Sequence, residues 1–597
     1  MIEVNTACPE IIKKRNGSPV PFDVKKIRAA IRKANDAAQV EAIAPYQFEK
    51  LVEEVIKKIP ETQVPNVEQV QDLVEETLIA HGFAKTAKAY ILYRAEHSKV
   101  RKTETDLVNI YRELTFTSAA DADIKRENAN IDADTSMGTM LKYGSEGANY
   151  FVDNYILPKD IAAAHINGDI HIHDKDFYML TETCCQIDLI KLFEGGFSTG
   201  HGFIRKPKSI ASYASLACIA IQANQNEMHG GQSVPNFDYA MAEGVACTFR
   251  KEYYDAVQKY FWLGNDCESI LGEEFRQSLK DAMPERINMA NIDSYEEHFV
   301  KWFMEVGAQW LGVEPQEEDV RKCHKTSIRI AMKETDQATY QAMESLIHNL
   351  NTMNSRAGAQ VPFSSINYGT CTSPEARMAI RNLLKVTDIG LGNGETAIFP
   401  VQIFKVKEGI NYNPGDPNYD LFRLAIKVSA KRLFPNFSFI DAPFNLQYYK
   451  EGDYNTEVAY MGCRTRVMGN FHDKTKEVTC GRGNLSFTSI NLPRIAIQAK
   501  DMEQFYGKLD RRLELCCRQL LHRLDIQKKK TVKNYPFLMG QGIWIDSEKL
   551  NINDSVEEVL KHGTLSVGFI GLAETLVALT GKHHGESEES RKLGYEI

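Results

Sequence analysis

The segment AYMGCRTRVMGN, residues 459–470, presents a single thiol, Cys463, between a glycine and an arginine. Small residues before a thiol allow the tip of a loop to approach another molecule closely. Arg464 and Arg466 make the surroundings electropositive, which favours a thiolate or an anionic substrate. Free cysteines are most often buried core residues, and this segment alone favours that interpretation. The rest of the chain reverses it.

Composition limits the class of protein. The chain has 597 residues, 43% of them hydrophobic and 25% charged, which is typical of a soluble globular protein. A net charge of −9 gives no general basic surface for nucleic acid. No run of eighteen apolar residues and no signal peptide is found, and the twelve cysteines include no CxxC pair. We therefore expect reduced thiols, a cytoplasmic location, and neither nucleic acid nor membrane as a partner.

The first hundred residues predict four short helices. Asp23 can cap a helix that ends near residue 38, and a second apolar series follows over residues 48–59. Asn66 and Gln69 form a capping-box start for a third helix, and a fourth is predicted over residues 84–98. Basic residues cluster near the helix starts, as phosphate groups require, although a solvated charged face is the commoner explanation. They are Lys13, Lys14, Arg15, Lys25, Lys26, Lys85, Lys88 and Arg94.

A polar stretch, residues 97–106, is the predicted hinge to the rest of the chain. Beyond it, strand-like runs alternate with amphipathic helices, a pattern typical of the α/β class. The strands are expected at residues 169–173, 397–404, 437–440 and 542–545, and the longest helix at about residues 502–524. The predicted domains are therefore residues 1–100 and 101–597.

Three segments offer donors and acceptors to a polar ligand. Residues 348–370 are rich in asparagine and serine, including Ser364 and Ser365, although such residues are also common in turns. Residues 480–496 place Asn484 in a glycine-rich setting. Thr564 and Ser566 precede an apolar helix, where an anion can bind, but the segment lacks the GK[ST] element of a Walker A loop.

The sequence GDIHIHD places His171 and His173 on one face of a predicted strand, with Ile170 and Ile172 on the other. Two histidines at that spacing could hold a metal, but a metal needs three or four ligands. No partner carboxylate is evident, so a structural hydrogen-bonding role is favoured, and no metal ligands are assigned in this chain. Two adjacent cysteines, Cys184 and Cys185, follow shortly after.

The N-terminal helices resemble the ATP-cone, the regulatory nucleotide-binding module of ribonucleotide reductases. The resemblance rests on IIKKRNGSPVPFDVKKIRAAIRKA and VPNVEQVQDLVEETLIAHGFAKTAKAYILYR, over about residues 10–100. It implies a small all-α domain that binds ATP or dATP with Mg²⁺ as allosteric effectors. Its nucleotide contacts would be Lys14, Arg15, Lys26 and Lys88 at the phosphates and Ile27 and Val64 near the base. ATP-cones also occur in a family of transcriptional repressors, so the module alone does not establish an enzyme.

The whole chain resembles the class III, anaerobic ribonucleotide reductases. The motifs that carry the resemblance occur in the family's order: NANID, GDIHIHD…TCCQIDL, HGGQSVPNFDYAMA, NSRAGAQVPFSSINYG, MGCRTRV, GRGN…SINLPRIA and GTLSVGFIGLAE. The resemblance implies a ten-stranded α/β barrel with Cys463 on a loop inside it. Substrates of this class are ribonucleoside triphosphates.

The resemblance also implies roles for individual residues. Cys463 would become a thiyl radical, Cys184 would act on the opposite face of the ribose, and Asn484 would bind the ribose hydroxyls. Helix-start chemistry adds phosphate and ribose contacts, and the region near the expected dimer interface adds contacts to a second effector that selects the substrate. The phosphate and ribose contacts are Ser364, Ser365, Thr564 and Ser566. The contacts to the second effector are Gln225 and Gln232.

The reductant implied is formate, with a dithiol protein as the alternative; no extra cysteine adjoins Cys463, which favours formate. The resemblance implies a homodimer or higher homo-oligomer and a radical-SAM activating enzyme as partners. The family's C-terminal domain, with zinc-binding cysteines and a glycyl radical, has no counterpart before Ile597. We expect the chain to be part of a longer protein that contains this domain.

Two alternatives to a ribonucleotide reductase remain open. They are another glycyl-radical enzyme of the formate-lyase type and a radical-free nucleotide-sensing paralogue.

Overall fold

A computed structural model describes most of the chain, namely residues 9–14, 19–38, 43–60, 64–116, 134–265, 268–284, 286–356, 360–462 and 465–597. The chain divides into two compact units, Met1–Phe116 and Thr117–Ile597. Each unit has a hydrophobic core of its own.

The first unit packs four helices behind a short hairpin. Its elements are β1 Ile11–Lys13, β2 Pro19–Pro21, α1 Val24–Ala38, α2 Pro45–Lys57, α3 Val67–Ala80 and α4 Ala84–Phe116. The predicted cap of α3 is confirmed, because the Asn66 side chain accepts a hydrogen bond from the Gln69 backbone N–H at 2.9 Å. Ile31, Val55 and Leu78 are fully buried where the helices meet. The four predicted helices are therefore present.

Two features of this unit differ from the sequence-based expectation. The unit is not all-α, because β1 and β2 pair antiparallel; strands of three residues are too short to produce a detectable alternation. The predicted hinge at residues 97–106 is helical and lies within α4. That stretch contains lysine, arginine and glutamate, which favour helix, and no glycine or proline that would end one.

The second unit is a mixed α/β domain. Its strands are β3 Ile170–Ile172, β4 Cys184–Gln186, β5 Phe197–Ser198, β6 Phe203–Ile204, β7 Gln232–Val234, β8 Ser364–Tyr368, β9 Val401–Val406, β10 Asn436–Phe439, β11 Tyr460–Met461, β12 Thr465–Arg466, β13 Gly483–Asn491 and β14 Thr564–Ile570. Its first helices are α5 Ser136–Phe151, α6 Lys159–Ile166, α7 Leu189–Gly195, α8 Ile210–Gln225, α9 Phe237–Asn265, α10 Glu273–Ala282, α11 Glu296–Leu311 and α12 Glu317–Thr352. The later helices are α13 Pro374–Ile389, α14 Tyr419–Arg432, α15 Pro443–Leu446, α16 Leu492–Gln498, α17 Met502–Gln527, α18 Glu557–Leu560, α19 Leu572–Thr580 and α20 Glu588–Glu596.

The main sheet runs in the order β10-β9-β8-β7-β4-β13-β14, with β3 also paired to β13. All neighbours from β10 to β4 are parallel, and so are β13 and β14. The two parallel blocks meet at the antiparallel pair of β4 and β13. The predicted α/β class is confirmed. The described residues place eight strands in this sheet, where the resemblance implied ten.

Helices pack against the sheet and form a hydrophobic core with it. Residues of α8, α9, α12 and α13 pack with the strands in one large apolar cluster, in which Met241, Leu350 and Leu383 are almost completely buried. Among the described residues the longest helix is α12, with 36 residues, and not α17, which was predicted to be the longest. Its inner face carries Thr335 and Thr339, both fully buried, so its apolar periodicity is weak.

One predicted strand is absent: residues 542–545 form a turn. Gly542 has a φ of +67°, which a strand cannot continue through, and the apolar Trp544 is buried in the core. A short apolar run fits either a strand or a buried turn equally well. Within the described residues, none of the helices combines the length and the apolar character needed to cross a membrane.

Substitution of Gly483, which lies on β13 where β4 and β13 pair antiparallel, tests how tightly these two strands are packed. A Cβ atom there would lie 1.8 Å from the carbonyl oxygen of Cys184, so Gly483→Ala must separate β4 from β13. We expect a cost of about 1–3 kcal/mol, the usual range for overpacking, seen as a lower midpoint of thermal unfolding.

Gly507→Ala is the matched control, because its nearest new neighbour would be 3.8 Å away on a helix surface. That change should leave the midpoint unchanged or raise it, since alanine favours helix over glycine by roughly 0.5–1 kcal/mol. Equal midpoints for the two variants would contradict the tight junction.

Candidate active site

Three predicted site residues are neighbours across the strands of the antiparallel junction. Cys184 on β4 is paired with Asn484 on β13, and Asn484 is paired with Thr564 on β14. The backbone N–H of Thr183 donates to the carbonyl of Asn484 at 3.0 Å, which fixes this register. The structure therefore brings together one thiol, one carboxamide and one hydroxyl at the same level of the sheet.

The Asn484 side chain is held in one orientation. Its Nδ2 donates to Ser566 Oγ at 2.6 Å and to Thr564 Oγ1 at 3.2 Å. The residue is only 1% exposed, and its Oδ1 has no hydrogen-bond partner among the described residues. Buried polar atoms normally have a partner, so Oδ1 is available to accept a hydrogen bond from a ligand hydroxyl. Thr564 and Ser566, predicted to contact substrate directly, thus orient Asn484.

The segment that carries Cys463 is a hairpin. β11 and β12 pair antiparallel on either side of residues 462–464. Cys463 and Arg464 lie outside the described residues, so the neighbouring residues define the surroundings. We call residues 459–467 the thiol hairpin.

Side chains of the sheet hold the thiol hairpin at Tyr460. The carbonyl of Tyr460 accepts hydrogen bonds from Ser233 Oγ at 2.7 Å and from Asn367 Nδ2 at 3.0 Å. The N–H of Tyr460 donates to Asn367 Oδ1 at 2.8 Å. Both backbone groups of one residue are thus satisfied by side chains from β7 and β8.

Two further bonds extend this attachment along the hairpin. Gln186 Nε2 donates to the carbonyl of Ala459 at 2.9 Å, and the N–H of Gly462 donates to Ser365 Oγ at 3.1 Å. Ser365, predicted as a substrate contact, therefore binds the residue just before Cys463. Gln186 was missed by the sequence analysis. The only feature of Gln186 that could have indicated this role is that it is a polar residue in a buried strand.

Cys184 and Cys185 have different surroundings. Cys184 packs against Met461, on β11, and against Val467, which directly follows β12. Cys185 is fully buried in the main core, where burial raises the pKa of its thiol. A Cβ atom at Gly230 would come within 2.9 Å of Cys184 Sγ. The residue facing the hairpin is Cys184.

The remaining polar candidates of this unit are buried. Ser364 Oγ has no hydrogen-bond partner among the described residues, and Gln232 accepts from Asn224 and donates to the carbonyl of Gly230. Gln225 accepts from Ser355 Oγ at 3.0 Å. Both glutamines are thus bonded within the protein.

Arg356 is a site residue that the sequence analysis passed over. It has a φ of +30° and is 9% exposed. Its guanidinium donates to the carbonyls of Gln225, Met228 and His229 at 2.7–3.1 Å, and so joins the end of α8 to the start of β7. It precedes residues 357–359, which are outside the described part of the chain. In the sequence, only its place in the NSRAG motif indicated that this arginine could matter for the site.

His171 and His173 take the expected faces of β3, while Ile170 and Ile172 are buried. His173 Nε2 lies 2.9 Å from Ser489 Oγ, which agrees with a structural hydrogen bond. Burial lowers the pKa of His173 to about 4, so the ring is neutral near neutral pH. The described residues contain no group of three or more side chains placed to hold a metal ion.

In the first unit, most predicted nucleotide contacts are at the surface. Lys14, Lys26 and Lys88 are exposed, and Val64 is 46% exposed. Ile27 is 7% exposed and packs in the core of the unit. Arg15 lies outside the described residues. The N–H of Lys13 donates to the carbonyl of Pro65 at 2.9 Å, which places β1 beside the start of α3.

Arg94 does not belong with the surface lysines. Its guanidinium pairs with Glu68, Asp72 and Glu75 of α3 at 2.5–2.9 Å. Arg94 therefore joins α4 to α3. A charge pattern in sequence does not reveal which cations have a partner in the fold.

The chain is similar to known protein families over most of its length. The sequence model of the ATP cone domain matches residues 10–99, and that of anaerobic ribonucleoside-triphosphate reductase matches residues 127–597. The chain is 27% identical to the anaerobic ribonucleoside-triphosphate reductase of Haemophilus influenzae, over 98% of this chain and 73% of that protein. It is 28% identical to the Escherichia coli protein of the same name, over 98% of this chain and 72% of the relative.

Among solved structures, an anaerobic ribonucleotide reductase from Thermotoga maritima, with citrate in the active site, superposes with a TM-score of 0.45. The two are 14% identical over 83% of this chain and 78% of that one. The match of the reductase family to residues 127–597 covers most of the chain. The chain belongs to the anaerobic ribonucleoside-triphosphate reductase family and carries an ATP cone domain at its N-terminal end.

Proposed function

We propose that this chain reduces ribonucleoside triphosphates to 2′-deoxyribonucleoside triphosphates by thiyl-radical chemistry. The observation that carries the proposal is the pairing of Cys184 with Asn484 beside the docked thiol hairpin. The thiol hairpin, on either side of Cys463, touches Cys184 through Met461 and Val467. Two thiols and one carboxamide would then surround a single ribose.

Cys463 is the proposed initiator. As a thiyl radical it takes the hydrogen atom from C3′ of the ribose, and the S–H bond formed is similar in strength to the C–H bond broken. The C3′ radical weakens the bond from C2′ to its hydroxyl, which leaves as water after it takes up a proton. Cys463 returns the hydrogen atom to C3′ at the end, so the radical is regenerated.

Cys184 and Asn484 are proposed to act on the opposite side of the sugar. Cys184 supplies hydrogen at C2′, and Asn484 Oδ1, which has no partner among the described residues, accepts a hydrogen bond from a ribose hydroxyl. Formate supplies the two electrons of the net reaction and leaves as carbon dioxide. Ribonucleotide, formate and a proton thus give deoxyribonucleotide, carbon dioxide and water.

The proposal includes partners that the family resemblance implies. A glycyl radical, in a domain that also binds zinc, would oxidise Cys463, and a radical-SAM enzyme would generate it. A homodimer or higher homo-oligomer is the proposed assembly, with Gln225 and Gln232 near the effector that selects the substrate. The ATP cone would bind ATP or dATP with Mg²⁺ and regulate turnover.

The two adjacent cysteines provide a matched test. Cys184→Ala should reduce deoxynucleotide formation by the activated enzyme to background, because no thiol then faces C2′. Cys185→Ala removes a buried sulfur at a cost of about 1 kcal/mol in stability and should retain turnover within a few-fold. Deoxynucleotide is measured chromatographically under anaerobic conditions. Equal activity of the two variants would refute the assignment of Cys184.

Asn484→Ala should lower turnover about 10²–10³-fold, the usual effect of removing a group that stabilises the transition state. Asn491→Ala is the control, because Asn491 lies on the same strand and its side chain also makes two hydrogen bonds, to Gly168 and Arg494. If both variants lose activity alike, the effect comes from weakening β13 and not from contact with the ribose.

The cone is tested by calorimetric titration with ATP. Lys14→Ala, Lys26→Ala and Lys88→Ala should each weaken binding by about tenfold or more, as expected for a lost hydrogen bond to a charged group. Lys57→Ala removes an exposed lysine from the end of α2 and should not change the affinity. Unchanged affinity in all four variants would place the nucleotide elsewhere.

A further inference from the structure

An ion pair that the proposed chemistry does not use lies in the interior of the second unit. Lys405 Nζ and Glu457 Oε2 are 2.8 Å apart, and the two side chains are 0% and 3% exposed. Removing two charges from water is costly unless their geometry and remaining hydrogen bonds are good. Replacing such a pair with apolar residues often leaves stability unchanged, so its presence here calls for another explanation.

The pair is completed by polar groups from neighbouring strands. Thr370 Oγ1 donates to Glu457 Oε2 at 2.7 Å, and Lys405 Nζ donates to Asn236 Oδ1 at 3.1 Å. Lys405 belongs to β9, while Asn236 and Thr370 follow β7 and β8. Glu457 is thus held by groups at two neighbouring strands of the sheet, β8 and β9, and Asn236 after β7 holds Lys405 in turn.

Glu457 is two residues ahead of the thiol hairpin and six residues ahead of Cys463. Val458, between them, packs against Ile440 and Met468. Just before it, Tyr454 stacks on Tyr239 of α9 with ring centroids 4.3 Å apart. The leading end of the hairpin is therefore fixed to the sheet at Glu457.

A second buried cation holds the other end of the hairpin. Arg482 is 1% exposed and donates to the carbonyls of Met468 at 2.9 Å and Gly469 at 2.7 Å. These residues directly follow the hairpin. The hairpin is thus anchored on both sides by buried positive charge, through a carboxylate at one end and through carbonyls at the other.

We propose that the Lys405–Glu457 pair is a positioning device that fixes the position of the thiol hairpin against β4, β7 and β8. Neither residue touches the reacting atoms. If Glu457 withdraws, Lys405 loses its ion-pair partner and keeps only the attraction of the buried Asp238 carboxylate, with which it makes no ion pair, so displacement of the hairpin is opposed more strongly than by neutral hydrogen bonds alone. The effect of this positioning on catalysis rests on the proposed role of Cys463 as the thiyl radical.

The test is the rate at which iodoacetamide alkylates Cys463 in the folded chain, followed by peptide mass spectrometry. Glu457→Gln and the charge-neutral double variant Lys405→Met/Glu457→Leu should each raise this rate about tenfold or more, because modification follows the population of displaced hairpin. Thr370→Val removes one hydrogen bond without changing charge and should give a smaller rise. The double variant keeps the test valid if Glu457→Gln does not fold.

Lys407→Met is the matched control. Lys407 is two residues further along the chain and pairs with Asp441 at 2.9 Å, and not with Glu457. It should leave alkylation of Cys463 unchanged. Rates within twofold of the unmodified chain for both Glu457 variants would overturn the proposal.

Turnover gives the second readout. A positioning role predicts a lower kcat with an unchanged KM in the double variant, whereas general loss of fold would lower the amount of active enzyme. An inactive unmodified enzyme would count against the reductase assignment alone, because the alkylation readout does not need turnover.

Discussion

The structure depends on one close contact, the antiparallel pairing of β4 with β13 at Gly483. Only glycine fits there, since a side chain would meet the carbonyl of Cys184. This contact joins the two blocks of parallel strands in the main sheet. It also sets the register that places Cys184 beside Asn484. Fold and candidate site therefore share one constraint: a change that separates these strands also separates the thiol from the carboxamide.

Around that contact the site is built from polar side chains in buried strands. Ser233, Asn367 and Ser365 bind backbone groups of the thiol hairpin and do not reach toward open space. Backbone atoms of an irregular segment need such partners when they are buried. The same residues that make these strands look like a ligand site in sequence thus serve to hold the segment that carries Cys463. Asn484 differs, since it retains an acceptor atom without a partner among the described residues.

The sequence predicted local features well and distant ones poorly. The capping box at Asn66 and the alternation around His171 depend on residues a few positions apart, and both are present. The hydrogen bond from Gly462 to Ser365 joins residues 97 positions apart, and no sequence pattern in either segment indicates it. Buried threonines on the inner face of α12 weaken the apolar periodicity that would indicate this helix in the sequence. The predicted roles of Cys184 and Asn484 came from family resemblance, and their proximity in space could only come from the fold.

The proposed chemistry requires Cys463 and Cys184 to face the same ribose. This is tested by protection of the individual cysteines from alkylation by a ribonucleoside triphosphate such as CTP, with ATP present. CTP should slow modification of both Cys463 and Cys184, while Cys517, which is exposed on α17, should react at an unchanged rate. Protection of neither thiol, or of only one of them, would contradict a shared ribose site.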